Sequence, residues 1–148
     1  MIGTDMDAST PDRPLTERLA ELLDPREEIL EAYLFGSHAR GQAQPHSDVD
    51  VAVYVDVARA DDTGYGYRAS LTTDLMAGLG SNDVDVVVLN RAPPLLYHRV
   101  LRDGVRLLAR DLRATTTREG RAVSRYCDFV PQLAKMAAAR RSVAGRGR

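Results

Sequence analysis

Three aspartates stand where a carboxylate is costly. Asp48 and Asp50 open the valine-rich run "DVDVAVYV", and Asp85 lies at the head of a second run, "VDVVVLN". Aspartate is depleted from strands, and like charges on one strand face repel. Side chains alternate along a strand, so Asp48 and Asp50 fall on one side, about 6.6 Å apart along the chain. Two carboxylates at that spacing suit a pair of divalent cations, which in two-metal sites lie roughly 3.5–4 Å apart. Mg2+ prefers oxygen ligands and keeps positions open for phosphate oxygens and water. Asp85 would complete the set if its strand neighbours the first. It would bind the ion that activates an incoming hydroxyl, or take that hydroxyl's proton. Asp83 shares the alternating face but lies nearer the loop, and ranks below Asp85.

Gly36 and Ser37 precede Asp48 by a spacer of ten residues, "HARGQAQPHS". A glycine lets backbone approach a triphosphate closely, and backbone amides with a hydroxyl cradle anionic oxygens. Arg40, between that pair and the aspartates, would neutralise phosphate charge. Chemistry of this kind depends on positioning and electrostatic stabilisation, and no covalent enzyme intermediate is required. Taken singly, each residue has a plainer reading: a turn glycine, a surface arginine, solubilising acids at a strand end. The conjunction of Gly-Ser, the spacer, Asp-x-Asp and an acid heading a later strand is what points to nucleotide chemistry.

Other cation and nucleophile patterns fail. A calcium loop starting at Asp48 would need glycine and glutamate where Val53 and Arg59 stand. No Gly-Lys-Ser/Thr phosphate loop exists, and His38, His46 and His98 lack zinc spacing. His38 and His46 read as passive loop residues and His98 as a helix-surface residue. Cys127, the sole cysteine, reads as a packed small side chain with no base near it in sequence.

The elements that would position these groups follow from periodicity and punctuation. A first helix is expected in "STPDRPLTERLAELLDP", capped by Thr10 or Asp12, striped by Leu15, Leu19, Leu22 and Leu23, and stopped by Pro25. "EAYLFGS" reads as a strand entering a turn, "DVDVAVYV" as the second strand, and "DDTGYG" as a loop. A helix with Leu71, Leu75 and Leu79 at spacing four comes next. "NDVDVVVLN" is the third strand, "RAPPLLYHRVLRDG" a short helix ending at Gly104, and "VRLLA" a fourth, edge strand. From about Leu112 to Arg141 the chain reads as helical, with Tyr126, Phe129, Val130 and Leu133 on one face and Pro131 kinking or dividing it. A core stripe is the plainer reading of that face, and a partner-facing one the sharper. The expected architecture is a two-layer α/β domain, a short mixed sheet of three to four strands packed with helices.

The 148 residues fit one domain, expected to span 14–141 between a flexible N-terminal tail, 1–13, and a basic tail, 142–148. Hydrophobic residues make up 44% and charged residues 28%, the balance of a soluble globular chain. A net charge of -1 gives no electrostatic argument for direct nucleic-acid or membrane binding. One cysteine, no apolar leader and no run of about 18 apolar residues lead to the expectation of a cytoplasmic protein. Lys135 is the only lysine, an arginine bias on which no function is built.

"GSHARGQAQPHSDVDVAVYV" and "VDVVVLN" resemble the signature of the nucleotidyltransferase superfamily, whose members share a DNA polymerase beta-like core. The run from Leu34 to Leu133, with "LNRAPPLLYHRVLRDGVRLLARD" and "YCDFVPQL", is most similar to the minimal nucleotidyltransferases, in particular MntA-type antitoxins that pair with HepT toxins. The resemblance implies a nucleotidyltransferase fold in which Asp48, Asp50 and Asp85 hold two Mg2+ ions while Gly36 and Ser37 hold the triphosphate. It also implies ATP as substrate and a HepT-like HEPN ribonuclease toxin as partner in a hetero-oligomer. AMP would pass to a toxin tyrosine hydroxyl, pyrophosphate would leave, and the toxin would be neutralised. Ser47 fits as a local cap of the loop. Two alternatives stay open: an antitoxin that inhibits by covering its toxin without catalysis, and a small-molecule nucleotidyltransferase. Nothing in the residues selects ATP over other triphosphates, the acceptor, the number of AMP units or the stoichiometry.

Overall fold

A computed structural model describes residues 13–60 and 64–146. Helix α1 (Leu15–Leu23) leads to strand β1 (Ile29–Phe35), and β2 (Val49–Val55) follows the ten-residue spacer. Helix α2 (Tyr65–Leu79) crosses to β3 (Val84–Val88), and a 3-10 turn (Leu89–Arg91) precedes α3 (Pro94–Asp103). Strand β4 (Val105–Ala109) and the long helix α4 (Leu112–Arg146) complete the order. The sheet runs β3-β2-β1-β4, with β2 and β3 parallel and the other two pairings antiparallel. The four-stranded mixed sheet packed with helices is the architecture expected from the sequence, and β4 is an edge strand.

Alternation divides the apolar residues between the two sheet faces. Val49, Val51, Val53 and Val55 of β2 join Val84 and Val86 of β3 against Leu19 and Leu23 of α1 and Leu71 and Leu75 of α2. Each such side chain contributes about 1.5–3 kcal/mol relative to exposure. On the other face Tyr33, Phe35 and Ala52 pack with Tyr97 and Val100 of α3 and Ala122 of α4. Strand β1 is buried at six of its seven positions, as an inner strand must be.

That second face also holds a buried ionic knot. Glu31 of β1 is fully buried and accepts hydrogen bonds from Arg118 Nε at 2.8 Å, an Arg118 terminal nitrogen at 2.6 Å and the Thr115 hydroxyl at 2.9 Å. Next to it, the Tyr33 hydroxyl donates to Glu119 at 2.6 Å, and Arg106 of β4 donates to both oxygens of Glu119. Burial, then Glu119, pushes the Tyr33 hydroxyl well above its usual range. These bonds lay the first turns of α4 along β1.

Three local details differ from expectation. Pro14 takes the N-cap position of α1 without a side-chain cap bond, and Thr10 and Asp12 lie outside the described residues. Pro131 sits inside an unbroken α4, which continues to Arg146 rather than ending near 141. The amide that Pro131 lacks would have bonded the Cys127 carbonyl, and both residues are exposed, so water can take that carbonyl. Cys127 is exposed rather than packed, because this part of α4 has run beyond the sheet. At 35 residues α4 is about 52 Å long, against about 23 Å for a seven-residue strand.

Candidate functional site

The site forms where β1 ends and β2 and β3 begin. In the sheet register Asp50 pairs with Phe35 on one side and with Asp85 on the other. Paired residues share a face, so the two carboxylates project together, toward the side that carries α3 and α4. Asp48 lies exposed, one residue before β2. Asp50 is half-buried, and its carboxyl is held above the usual range by burial first, then by Asp85, then by Asp48, with His38 opposing. The charges of Asp85 and Asp48 are thus both felt at Asp50. Asp83 is exposed, and its backbone carbonyl accepts the Val49 amide at 2.7 Å, closing the β2–β3 end.

Gly36 closes over this group from the end of β1. Its φ is +75°, a conformation that side chains beyond glycine rarely adopt. A Cβ there would overlap Oδ2 of Asp50 and come within 3.1 Å of its Cγ. The turn that follows bonds the Arg40 amide to the Gly36 carbonyl and the Gln42 amide to the Ser37 carbonyl. Among the described residues the amides of Ser37, His38 and Ala39 take no partner. His38 Nε2 lies 3.2 Å from the Ser47 carbonyl, and the Ser47 hydroxyl accepts the Gln44 amide at 2.7 Å. The two ends of the spacer are thus pinned together, with Ser47 capping it as expected. Arg40 is exposed on that loop, and its charge reaches Asp103 at the end of α3.

Gly36→Ala should lower the free energy of unfolding by about 1–3 kcal/mol, through the positive φ and the overlap together. The double variant Gly36→Ala/Asp50→Ala should recover part of the loss, since only the backbone term remains. Urea melts of the three proteins separate the contributions. Full additivity would mean that Gly36 and Asp50 do not touch.

One residue of the site has no signal in the sequence. Arg68 of α2 donates to Oδ1 of Asp85 at 2.9 Å, both side chains being about half exposed. Only the packing of α2 beside β3 brings it there, and no spacing rule links residues 68 and 85. With Asp85 engaged by Arg68, no three acidic, histidine or cysteine side chains among the described residues are drawn close enough to hold a metal ion. The donor set nonetheless suits a hard divalent cation in kind. It is all carboxylate oxygen, and Asp50 carries the mark of mutual repulsion that a cation would relieve. Among the described residues no helix is long and apolar enough to cross a membrane.

Comparison with known proteins agrees with this geometry. Several solved structures superpose on nearly the whole chain. A chain of the tri-AMPylated Shewanella oneidensis HEPN toxin in complex with MNT antitoxin is 25% identical, with a TM-score of 0.64, covering 84% of this chain and 94% of that one. A chain of a toxin–antitoxin complex with AMP-PNP is 24% identical, with a TM-score of 0.60, covering 89% and 97%. An MntA–HepT toxin–antitoxin structure gives 25% identity and a TM-score of 0.56, covering 90% and 97%. A comparison with curated proteins gives no match. The family model "Polymerase beta, Nucleotidyltransferase" matches residues 17–113, from α1 through β4, taking in Gly36, Ser37 and all three acids. That match spans nearly two thirds of the chain, which therefore belongs to the polymerase beta nucleotidyltransferase family.

Proposed function

We propose that this chain is an MntA-type antitoxin that transfers AMP from ATP to a tyrosine hydroxyl of a HEPN-type ribonuclease toxin and so neutralises it. The observation that carries the reading is the register that sets Asp50 beside Asp85, with Asp48 adjacent, beneath the Gly36–Ser37 turn. The similarity to chains of toxin–antitoxin complexes, one of them with an AMPylated toxin and another with an ATP analogue, supports the partner and the transferred group.

In this reading the free amides after Gly36, with the Ser37 hydroxyl, bind the triphosphate, and Arg40 offsets its charge. Asp48, Asp50 and Asp85 would hold two Mg2+ ions, which would supply positive charge against the phosphate oxygens and favour ionisation of the attacking hydroxyl. Arg68, which engages Asp85, would have to release it for that carboxylate to take part. The tyrosine oxygen bonds to the α-phosphorus as the bond to the pyrophosphate oxygen breaks. Asp85 takes the hydroxyl proton, and pyrophosphate leaves. The stretch of α4 beyond the sheet, with Val130, Met136 and Val143 exposed, extends past this mouth and offers apolar surface to the acceptor protein.

The test is the intact mass of a HEPN-type toxin encoded beside this chain, co-expressed with it and incubated with ATP and Mg2+. A gain of one or more AMP units is expected, and it should vanish with the Asp48→Asn/Asp50→Asn variant. A tight complex of unchanged mass would replace the transferase reading with inhibition by binding alone. Absence of any complex would leave a small-molecule acceptor as the better reading.

A further inference from the structure

Farther along the same face of the sheet lies a groove to which none of the three acids contributes. Asp50, Ala52 and Tyr54 follow one another on that face, so Tyr54 is about 13 Å down β2 from the acids. There a cavity of about 840 Å³ opens between Tyr54, Tyr97 of α3, and Gly120, Arg121, Ser124 and Arg125 of α4. The volume is within the range of small-molecule sites.

Three independent features mark it as built for a ligand. Tyr97 is 2% exposed, yet its hydroxyl is buried with no hydrogen-bond partner, which is costly for a polar group. The charges that reach this hydroxyl come from Glu31, Tyr54, Arg118 and Arg125, and all but Glu31 line the cavity. Gly120, second, lies inside a helix, where glycine is weaker than alanine, and its φ is not positive. A Cβ there would meet nothing within 4 Å, so neither conformation nor packing within the chain requires glycine. What its missing side chain leaves is the open volume of the groove. Third, the wall is rich in donors. Arg121 and Ser124 form no hydrogen bond or ion pair among the described residues, and Arg125 only lies over the Tyr97 ring, 5.9 Å from its centroid. Arg118 is already committed to Glu31. Among the described residues no carboxylate lines the cavity.

We propose that this groove is a second ligand site, which takes a phosphate monoester of nucleotide size on Arg121 and Arg125. Two guanidiniums match a phosphate dianion in charge and in their planar arrays of donors. The remaining volume beside Tyr54 accommodates the rest of the molecule.

Calorimetric titration of AMP into the full chain in EDTA, without Mg2+, tests this apart from the catalytic mouth. The wild type and Asp48→Asn/Asp50→Asn should bind alike, within about twofold. Arg121→Gln/Arg125→Gln should bind at least about tenfold more weakly, the loss of charge-assisted bonds. Gly120→Leu should abolish binding while melting no lower than the wild type, since leucine is the better helix former. Adenosine should not bind. Equal binding of adenosine and AMP, unchanged affinity in the arginine variant, or loss of binding in Asp48→Asn/Asp50→Asn would each overturn the assignment. So would absence of AMP binding to the wild type at millimolar concentration. If the arginine variant instead dissociates a protein partner from a chain that binds no AMP, the groove is a protein-docking surface and the proposal falls.

Discussion

Asp50→Asn should slow AMP transfer about a thousandfold and, in the metal-free protein at neutral pH, leave stability equal or slightly higher. The first effect follows from the proposed role. The amide keeps the shape of the carboxylate but removes a charge placed where transition-state charge is balanced, and the loss of one such group costs on the order of 10²–10³ in rate. The second follows from the raised pKa. Burial, Asp85 and Asp48 all disfavour ionised Asp50 in the folded chain. A carboxyl whose folded pKa lies above its unfolded value favours folding at acid pH, and that contribution is lost as pH rises through the window between the two values. Above the window, ionised Asp50 opposes folding, and asparagine removes the opposition. The gain should therefore fade as pH falls below about 4, where Asp50 is protonated in both states. Because Asp50 is only half-buried, the stability change is small beside the rate change. Single-turnover transfer rates and thermal melts at pH 4 and pH 7.5 measure both. A wild-type rate in Asp50→Asn would end the proposed mechanism, and a loss of stability at pH 7.5 would contradict the repulsion.

The same residue marks how far the sequence could be read. The period-two valines of β2 and the apolar run of β3 made both strands legible, together with the face on which Asp48 and Asp50 stand. The pairing of Asp50 with Asp85 was legible only as a condition, that the strands be neighbours. The crossover through α2 meets it, but a crossover's length and packing do not fix register to the residue. Gly36 was legible through its spacing from Asp48, and its positive φ was not. Arg68 was not legible, because an arginine on a helix looks the same whether it faces water or an acid 17 residues away. Tyr126 was expected on the apolar face of α4, and it is half-buried, stacked on His98 with ring centroids 3.6 Å apart. Val130 and Cys127 are exposed because helical periodicity continues past the point where the sheet ends. Amphipathic spacing reports which side of a helix is apolar. It does not report whether anything lies against that side.

The least legible element carries the largest stability effect. Arg118→Met should lower the free energy of unfolding by about 3–5 kcal/mol, the usual cost of leaving a buried charge without its partner. Glu31 has no access to water, and two of its three hydrogen bonds come from Arg118, 87 residues away. Thr115 alone would remain, a single neutral donor for a full charge. The guanidinium also lies over the Tyr54 ring, 4.9 Å from its centroid, and that contact goes with it. The double variant Glu31→Leu/Arg118→Met discriminates between a stabilising pair and a merely compensated one. With both charges gone, the desolvation penalty disappears along with the attraction, so the double variant should recover most of the loss. Guanidinium melts of the two single variants and the double would show it. A cost below about 1 kcal/mol for Arg118→Met would mean that water reaches Glu31. A double variant as unstable as the single would mean that the pair, beyond its own balance, aligns α4 on β1. That alignment bears on the proposed function, because the first turns of this helix decide where its exposed end points.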